Sequence, residues 1–291
     1  MGEPCRYRAA LLRRERPDMI FHASAFISPW WAKDRDTPAA RALVGAGFGI
    51  MASAQLPKIR TLMQAVRDLD LGCPVVNASY PDLTHAVLAA DGLAPTIGVG
   101  NAGMIFLCIL RALREGALAR DGIPRLFAHH SQVTPFARDQ IDRRDESPWL
   151  FLGDGEVEIA PLIDGPLPEG MPLNALTATH AIQIIGALSG AGMLRTAAPG
   201  PFGLQGGWPV EIDSGGVRLD LPPGVEMARA VAFQSRAAIH DGIADIDHDG
   251  TIHYTEKTRQ LLAAVAPDLA EPLRLQDASR RLTRVLELVA A

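Results

Sequence analysis

Cysteine is scarce in this chain. Only Cys5, Cys73 and Cys108 occur among 291 residues, far apart and forming no Cys-x-x-Cys, so neither a disulfide framework nor a structural zinc site is indicated. An excess of positive charge is also missing. The 28 Lys and Arg are outnumbered by 33 Asp and Glu spread along the chain, for a net charge of −5, which argues against a surface for DNA or RNA and makes nucleic acid an unexpected partner. No apolar run is long enough to span a membrane. The most apolar stretch, 94–110, contains Asn101 and three glycines and stops at Arg111, short of the roughly 20 residues a span needs. The opening Met1-Gly2-Glu3-Pro4-Cys5-Arg6 has no apolar signal core, and Arg6 stands where N-myristoylation wants Ser or Thr. A soluble, cytoplasmic protein without a membrane partner is the expectation. Internal repeats and low-complexity tracts are absent from the sequence.

What is present is a chain able to bury a large core, 48% hydrophobic and 21% charged, and long enough for two domains. In its first hundred residues short apolar runs alternate with helical patterns, as in parallel βαβ units whose strands are buried on both faces. A helix is expected over Arg6 to Arg16 and a buried strand over Met19 to Phe26. Apolar residues at Leu56, Ile59, Leu62, Met63, Val66 and Leu69 have the spacing of a helix packed on a sheet. Strands at Pro74 to Ala78 and Pro95 to Val99 then alternate with helices at Leu83 to Ala90 and Met104 to Glu115, and a further strand, Pro124 to Ala128, runs into His129-His130. Residues 137–172 are rich in charge, Pro and Gly and read as a connection whose only strand is Val157 to Ile159. Beyond it are a helix at Asn174 to Leu188, a hairpin at Trp208 to Leu221, helical patterns at Val225 to His240 and Glu256 to Ala266, and a basic amphipathic helix at Gln276 to Ala290. The expected fold is α/β: a partial Rossmann-like parallel sheet at 1–136, the connection at 137–172, and an α+β domain at 173–291.

The strand ending His22-Ala23-Ser24, the run Val75-Val76-Asn77-Ala78-Ser79-Tyr80-Pro81-Asp82, the turn Ile97-Gly98-Val99-Gly100 and the strand ending at His129 together resemble the lactate/malate dehydrogenase superfamily, which includes the family-four glycosidases. Saccharopine- or opine-type reductases are the competing resemblance. The resemblance implies an oxidoreductase of the NAD- or NADP-dependent 2-hydroxy-acid type, with a small-molecule substrate and His129 as its catalytic acid–base group. It also implies that Asn77, Ser79, Gly98, Gly100, Asn101, Thr179 and His180 contact substrate or cofactor. The sequence departs from that pattern in several places. Nothing before residue 18 can be the dinucleotide-binding Gly-x-Gly-x-x-Gly, so the first half of the nucleotide fold is expected to be absent and cofactor binding by this chain alone is doubtful. A literal match, Gly98-Val99-Gly100-Asn101-Ala102-Gly103, lies later than the superfamily places it and has no acidic partner at the next strand end. The helix after it lacks the Asp and Arg that would orient the catalytic His and clamp a carboxylate. The alternative is a non-catalytic or partner-dependent subunit.

Plainer structural readings stand beside each of these. His129 and His130 can cap a strand end, Asn77 can close an Asx turn before Pro81, and His180 can be a satisfied helix histidine. Asp245, Asp247, Asp249 and Glu256 occupy positions 1, 3, 5 and 12 of a calcium-loop template, with Gly250 at 6, yet Asp249-Gly250 also reads as a hairpin turn, which is the preferred reading. Finally, if Met19 to Phe26 is a sheet edge without a blunting charge, a homo-oligomer or a separate partner subunit is expected to cover it.

Overall fold

The computed structural model describes residues 3–28, 31–116, 122–133, 147–159, 162 and 171–290. It is mixed α/β. Helix α1 (Glu3–Glu15) leads into strand β1 (Ile20–His22), and α2 (Pro38–Gly45) and a short 3-10 turn at Phe48–Met51 run into α3 (Ala52–Asp68). Then follow β2 (Val75–Asn77), α4 (Pro81–Ala89), β3 (Ile97–Gly98) and α5 (Asn101–Arg114). Strands β1, β2 and β3 form a parallel sheet in that order, with Phe21 opposite Val76 and Val76 opposite Ile97. The expected spacing produces α3, which buries Leu56, Ile59, Met63 and Val66 along one face. Helix α2, begun by Pro38 and capped where the Thr37 hydroxyl accepts the Ala40 amide, was not expected.

The parallel series ends sooner than the sequence suggests. Strand β4 (Pro124–Phe127) is not its fourth member. It pairs antiparallel with β5 (Trp149–Leu152), and β5 pairs with β6 (Gly155–Val157). All four β5 residues are buried, so the hydrophobic partner of β4 comes from within the segment expected to be a loop-rich connection. Much of the remainder of 137–172 lies outside the described residues. Beyond it, α6 (Met171–Leu188) precedes an antiparallel sheet of β7 (Leu194–Pro199), β8 (Gly207–Asp213) and β9 (Gly216–Leu219). The β8–β9 pair is the expected hairpin, and β7 is an addition. Helix α7 (Met227–Ala238), the hairpin β10 (Ile243–Ile246) and β11 (Ile252–Tyr254), then α8 (Glu256–Ala263) and α9 (Ala278–Ala290) complete the chain.

The apolar clusters do not follow the expected division at 137–172. Leu56, Ile59 and Val66 of α3 share one cluster with Leu262 of α8 and with Leu282, Val285 and Val289 of α9. A second cluster joins Val76 and Ile97 of the parallel sheet to Phe127, Trp149 and Trp208, whose rings pack 5.2 and 5.5 Å from Phe127. Basic Arg281 of α9 is not solvated but buried, donating to the carbonyl of Leu269 at 2.6 Å. Among the described residues no single helix is long and apolar enough to cross a membrane.

Candidate active site

Two chain reversals, one after β2 and one after β4, meet at the candidate site. After β2, the Asn77 side-chain oxygen accepts the Ser79 amide at 3.0 Å, an Asx turn. Tyr80 follows in the left-handed conformation (φ 46°, ψ 55°), a costly state for a bulky residue, and Pro81 opens α4. This turn places the Tyr80 side chain and that of Asp82, in the first turn of α4, both beside His130. After β4, a capping box closes a 3-10 turn at His130–Gln132: the His129 ring accepts the Ser131 amide, and the Gln132 side chain accepts the His129 amide at 2.8 Å. The His130 amide donates to Asp82 Oδ1 at 2.9 Å, which ties the two reversals together.

The third contributor is Asp241, from the turn that ends α7. His130 Nδ1 lies 2.8 Å from Asp241 Oδ2, and the Tyr80 hydroxyl donates to the same oxygen at 2.7 Å. With the carboxylate ionised, Nδ1 carries the proton and donates it, which leaves Nε2 as the ring nitrogen available to a molecule in front of it. The His130, Phe48 and Tyr80 rings meet in a three-way cluster, with centroids 4.2 Å apart for His130 and Phe48, 4.8 Å for His130 and Tyr80, and 4.7 Å for Phe48 and Tyr80. Its outer part, 23% exposed, faces a cleft of about 870 Å³.

Electrostatics separate the two carboxyls. Burial raises Asp82, and the His129 and His130 charges only partly offset that, so it stands above the usual carboxylate range. Burial works against Asp241 too, but the charge and hydrogen bond of His130 outweigh it and hold Asp241 below that range. Conversely, burial alone would lower His130, and Asp241 overrides it to hold His130 above an ordinary histidine. Carboxyl groups pushed apart in this way around one imidazole are an arrangement that can move a proton.

The structure places the expected site residues at differing distances from the cleft. His129 is 1% exposed and serves as the cap of the turn, and burial lowers its pKa, so the cleft-facing imidazole is its neighbour His130. Ser79, Gly100 and Asn101 do border the cleft, and the Asn101 side chain donates to the His130 carbonyl at 3.0 Å. Asn77 is fully buried, accepting from the His22 ring as well as from Ser79, and acts on the cleft only through the turn it shapes. Gly98 is covered by Pro81 and by the Pro199 carbonyl, and Gly103 lies against the His180 ring. His180 is buried between Gly103 and the Thr196 hydroxyl, 2.9 Å from its Nε2, and does not reach the cleft. Thr179 is exposed and bonded to the Ala175 carbonyl, whereas Thr177 of the same helix borders the cleft. The calcium template is a hairpin turn. Asp247 accepts the amides of Asp249 and Thr251 and the His253 ring, Asp245 stands in β10, and Glu256 opens α8 with its side chain bonded to Gln260.

Sequence reasoning passed over His130, Asp241, Tyr80 and Asp82 as a group. One signal was present in Gly47-Phe48-Gly49. A side chain at Gly47, where φ is +93°, would stand 2.6 Å from the Asp241 carbonyl, and one at Gly49 2.8 Å from the same oxygen, so these glycines mark where the Phe48 turn seats on Asp241. Compared with family models, with curated proteins and with solved structures, the chain matches none.

Proposed function

We propose that the chain carries the proton-transfer centre of an oxidoreductase that interconverts an alcohol and a carbonyl on a small molecule, with His130 in the role that the family resemblance gives to His129. The observation that carries this reading is the grip of Asp241 on His130 Nδ1 at the wall of a large cleft. In the oxidative direction Nε2 takes the proton of the substrate hydroxyl, and in the reductive direction it returns that proton to the carbonyl oxygen. Asp241, already ionised, stabilises the imidazolium between these events, and Tyr80 holds the carboxylate in place. A positioned acid–base group of this kind contributes about 10²- to 10⁴-fold in rate.

A nicotinamide cofactor, NAD or NADP, supplies the hydride acceptor in the resembled superfamily, and the packing of the Gly98–Gly103 loop argues against that loop as its cradle. In Gly98-Val99-Gly100-Asn101-Ala102-Gly103, packing against Pro81, Pro199 and His180 accounts for the outer glycines, and Gly100 alone of the three borders the cleft. We therefore place the cofactor on a separate partner subunit, in keeping with a partner-dependent chain. Fluorescence titration with NADH and NADPH should give weak binding or none, and micromolar saturable binding would return the glycine loop to a cofactor role. Where turnover is found, His130→Asn should lower kcat at least about 100-fold, and His129→Asn should lower it far less. Equal losses from both would overturn the assignment.

A further inference from the structure

We infer that the substrate is an uncharged ketone or secondary alcohol with a sizeable apolar group, rather than a short hydroxy acid; this deepens the proton-transfer reading and rests on it. The cleft, at about 870 Å³, is within the range of about 300–1,000 Å³ that encloses drug-sized molecules, far more than a three- or four-carbon acid would fill. Its chemistry is divided. At one end stand His130, Asp82, Asp241 and Asn101. On the wall built by α2 and the Phe48–Met51 turn stand Leu43, Val44, Phe48 and Met51, with Phe26 and Met104 also bordering the space.

Two of these apolar side chains remain half exposed, Phe26 with the Lys58 ammonium over one face of its ring. Phe26 and Val44 are each 52% exposed, an unfavourable state that a bound apolar group would relieve. Met51 and Met104 are flexible, polarizable groups suited to following the outline of an alkyl or aryl chain.

Among the described residues, the charged groups bordering the cleft are already engaged. Asp241 holds His130 and Tyr80, Asp82 accepts the His130 amide, and Lys33 has a neighbour of its own. Arg111 of α5, the nearest arginine along the sequence to the expected clamp position, is turned to solvent in an ion pair with Glu115. Among the described residues, the end at His130 thus presents one balanced cluster and the His130 ring, with the partnered His240 also bordering the cleft, which suits a single hydroxyl or carbonyl oxygen. An apolar tail on the carbon bearing that oxygen would lie along Phe48 and Met51 toward Val44.

The test is a homologous series, 2-butanone, 2-hexanone and 2-octanone, against the 2-oxo acids of equal length, titrated into protein carrying ¹³C-methyl methionine and ¹⁵N histidine. Affinity for the ketones should rise about three- to fourfold per added methylene, with shifts in the Met51 and Met104 methyl signals. Val44→Glu should flatten that dependence, and each 2-oxo acid should bind at least tenfold more weakly than its ketone. Affinity independent of chain length, or 2-oxobutanoate binding more tightly than 2-octanone, would overturn the substrate class. The His130 Nε2 signal reports the other reading separately. Ketones that move the methionine methyls but leave Nε2 unmoved would sink the proton-transfer role and uphold an apolar site, whereas 2-oxobutanoate moving Nε2 with no methionine response would uphold the role and sink the apolar substrate.

Discussion

The Tyr80 hydroxyl donates to Asp241 Oδ2 at 2.7 Å across 161 residues of sequence. It shares that oxygen with His130, so removing it alters both partners. Tyr80→Phe deletes a buried hydrogen bond to a charged group and should cost about 1.5–3 kcal/mol of stability. Because the bond helps to hold Asp241 low, its loss raises the Asp241 pKa; the carboxylate, less satisfied, then draws His130 higher. Urea unfolding and an NMR titration of the His130 ring measure the two effects, and an unshifted His130 titration would break the proposed coupling.

His85 and His180 are buried, and burial pushes each down to about 4. An unfolded histidine titrates near 6.5, so between pH 6.5 and about 4 the unfolded chain binds more protons, and stability falls as the pH falls through that window. Each contributes a loss of about 2 kcal/mol by pH 5. His130 works in the opposite sense: held high, it adds stability that is fully present below 6.5 and lost as pH rises through its folded value. Unfolding measured from pH 8 to 4.5 should show a net acid loss, and ring signals of His85 and His180 titrating near 6.5 in the folded protein would contradict it.

Gly103 sits inside α5, where alanine would ordinarily stabilise a helix by about 1 kcal/mol. Here the added methyl would run into the buried His180 ring. Gly103→Ala should therefore destabilise by about 1–3 kcal/mol, and His180→Ala should recover much of that loss in the double variant. Additive losses, read by thermal unfolding, would show that the contact is not what excludes a side chain.

Calcium should bind the 245–256 segment no better than millimolar. The Asp247 carboxylate already serves the turn, and the His253 ring and the Thr251 and Asp249 amides hold it down at about 2. Calorimetry showing micromolar affinity, abolished by Glu256→Gln, would reverse the hairpin assignment.

Strand β1 is the edge of the parallel sheet, with Phe21 44% exposed upon it. The edge is shorter than the sequence suggests. Residues 24–26 leave it and bond to the Ser79 hydroxyl, Lys58 and the Ala54 carbonyl. We propose that the remaining three-residue edge and Phe21 are covered by a second copy or a partner subunit. Light scattering should show self-association weakened by Phe21→Lys, and a monomer indifferent to that change would remove the proposal.

Much of the first hundred residues was legible because period is a local property. Leu56, Ile59, Met63 and Val66 fall on one side of a helix whatever surrounds them. Direction of pairing is not local. Pro124–Phe127 has the composition of a buried strand, and only the arrival of Trp149–Leu152 beside it makes the pair antiparallel. Similarly, Thr177 and Thr179 differ by about 200° around a helix, so choosing the face that meets Met104 required the packing partner. Asp241-Gly242 reads as a helix break, which it is, and nothing in that dipeptide indicates a histidine 111 residues earlier.

The seat of Gly47 and Gly49 on the Asp241 carbonyl has a mechanical consequence. Phe48 rides on that turn and rests on the His130 ring, so the residue that shapes the inner cleft and the carboxylate that orients the imidazole are bolted to one another. A ligand too bulky for the inner cleft would displace the His130–Asp241 pair along with Phe48. On the proposed reading, different tails are accommodated from the outer side, at Phe26 and Val44, which leaves the inner pair rigid and the fit adjustable within a single cleft.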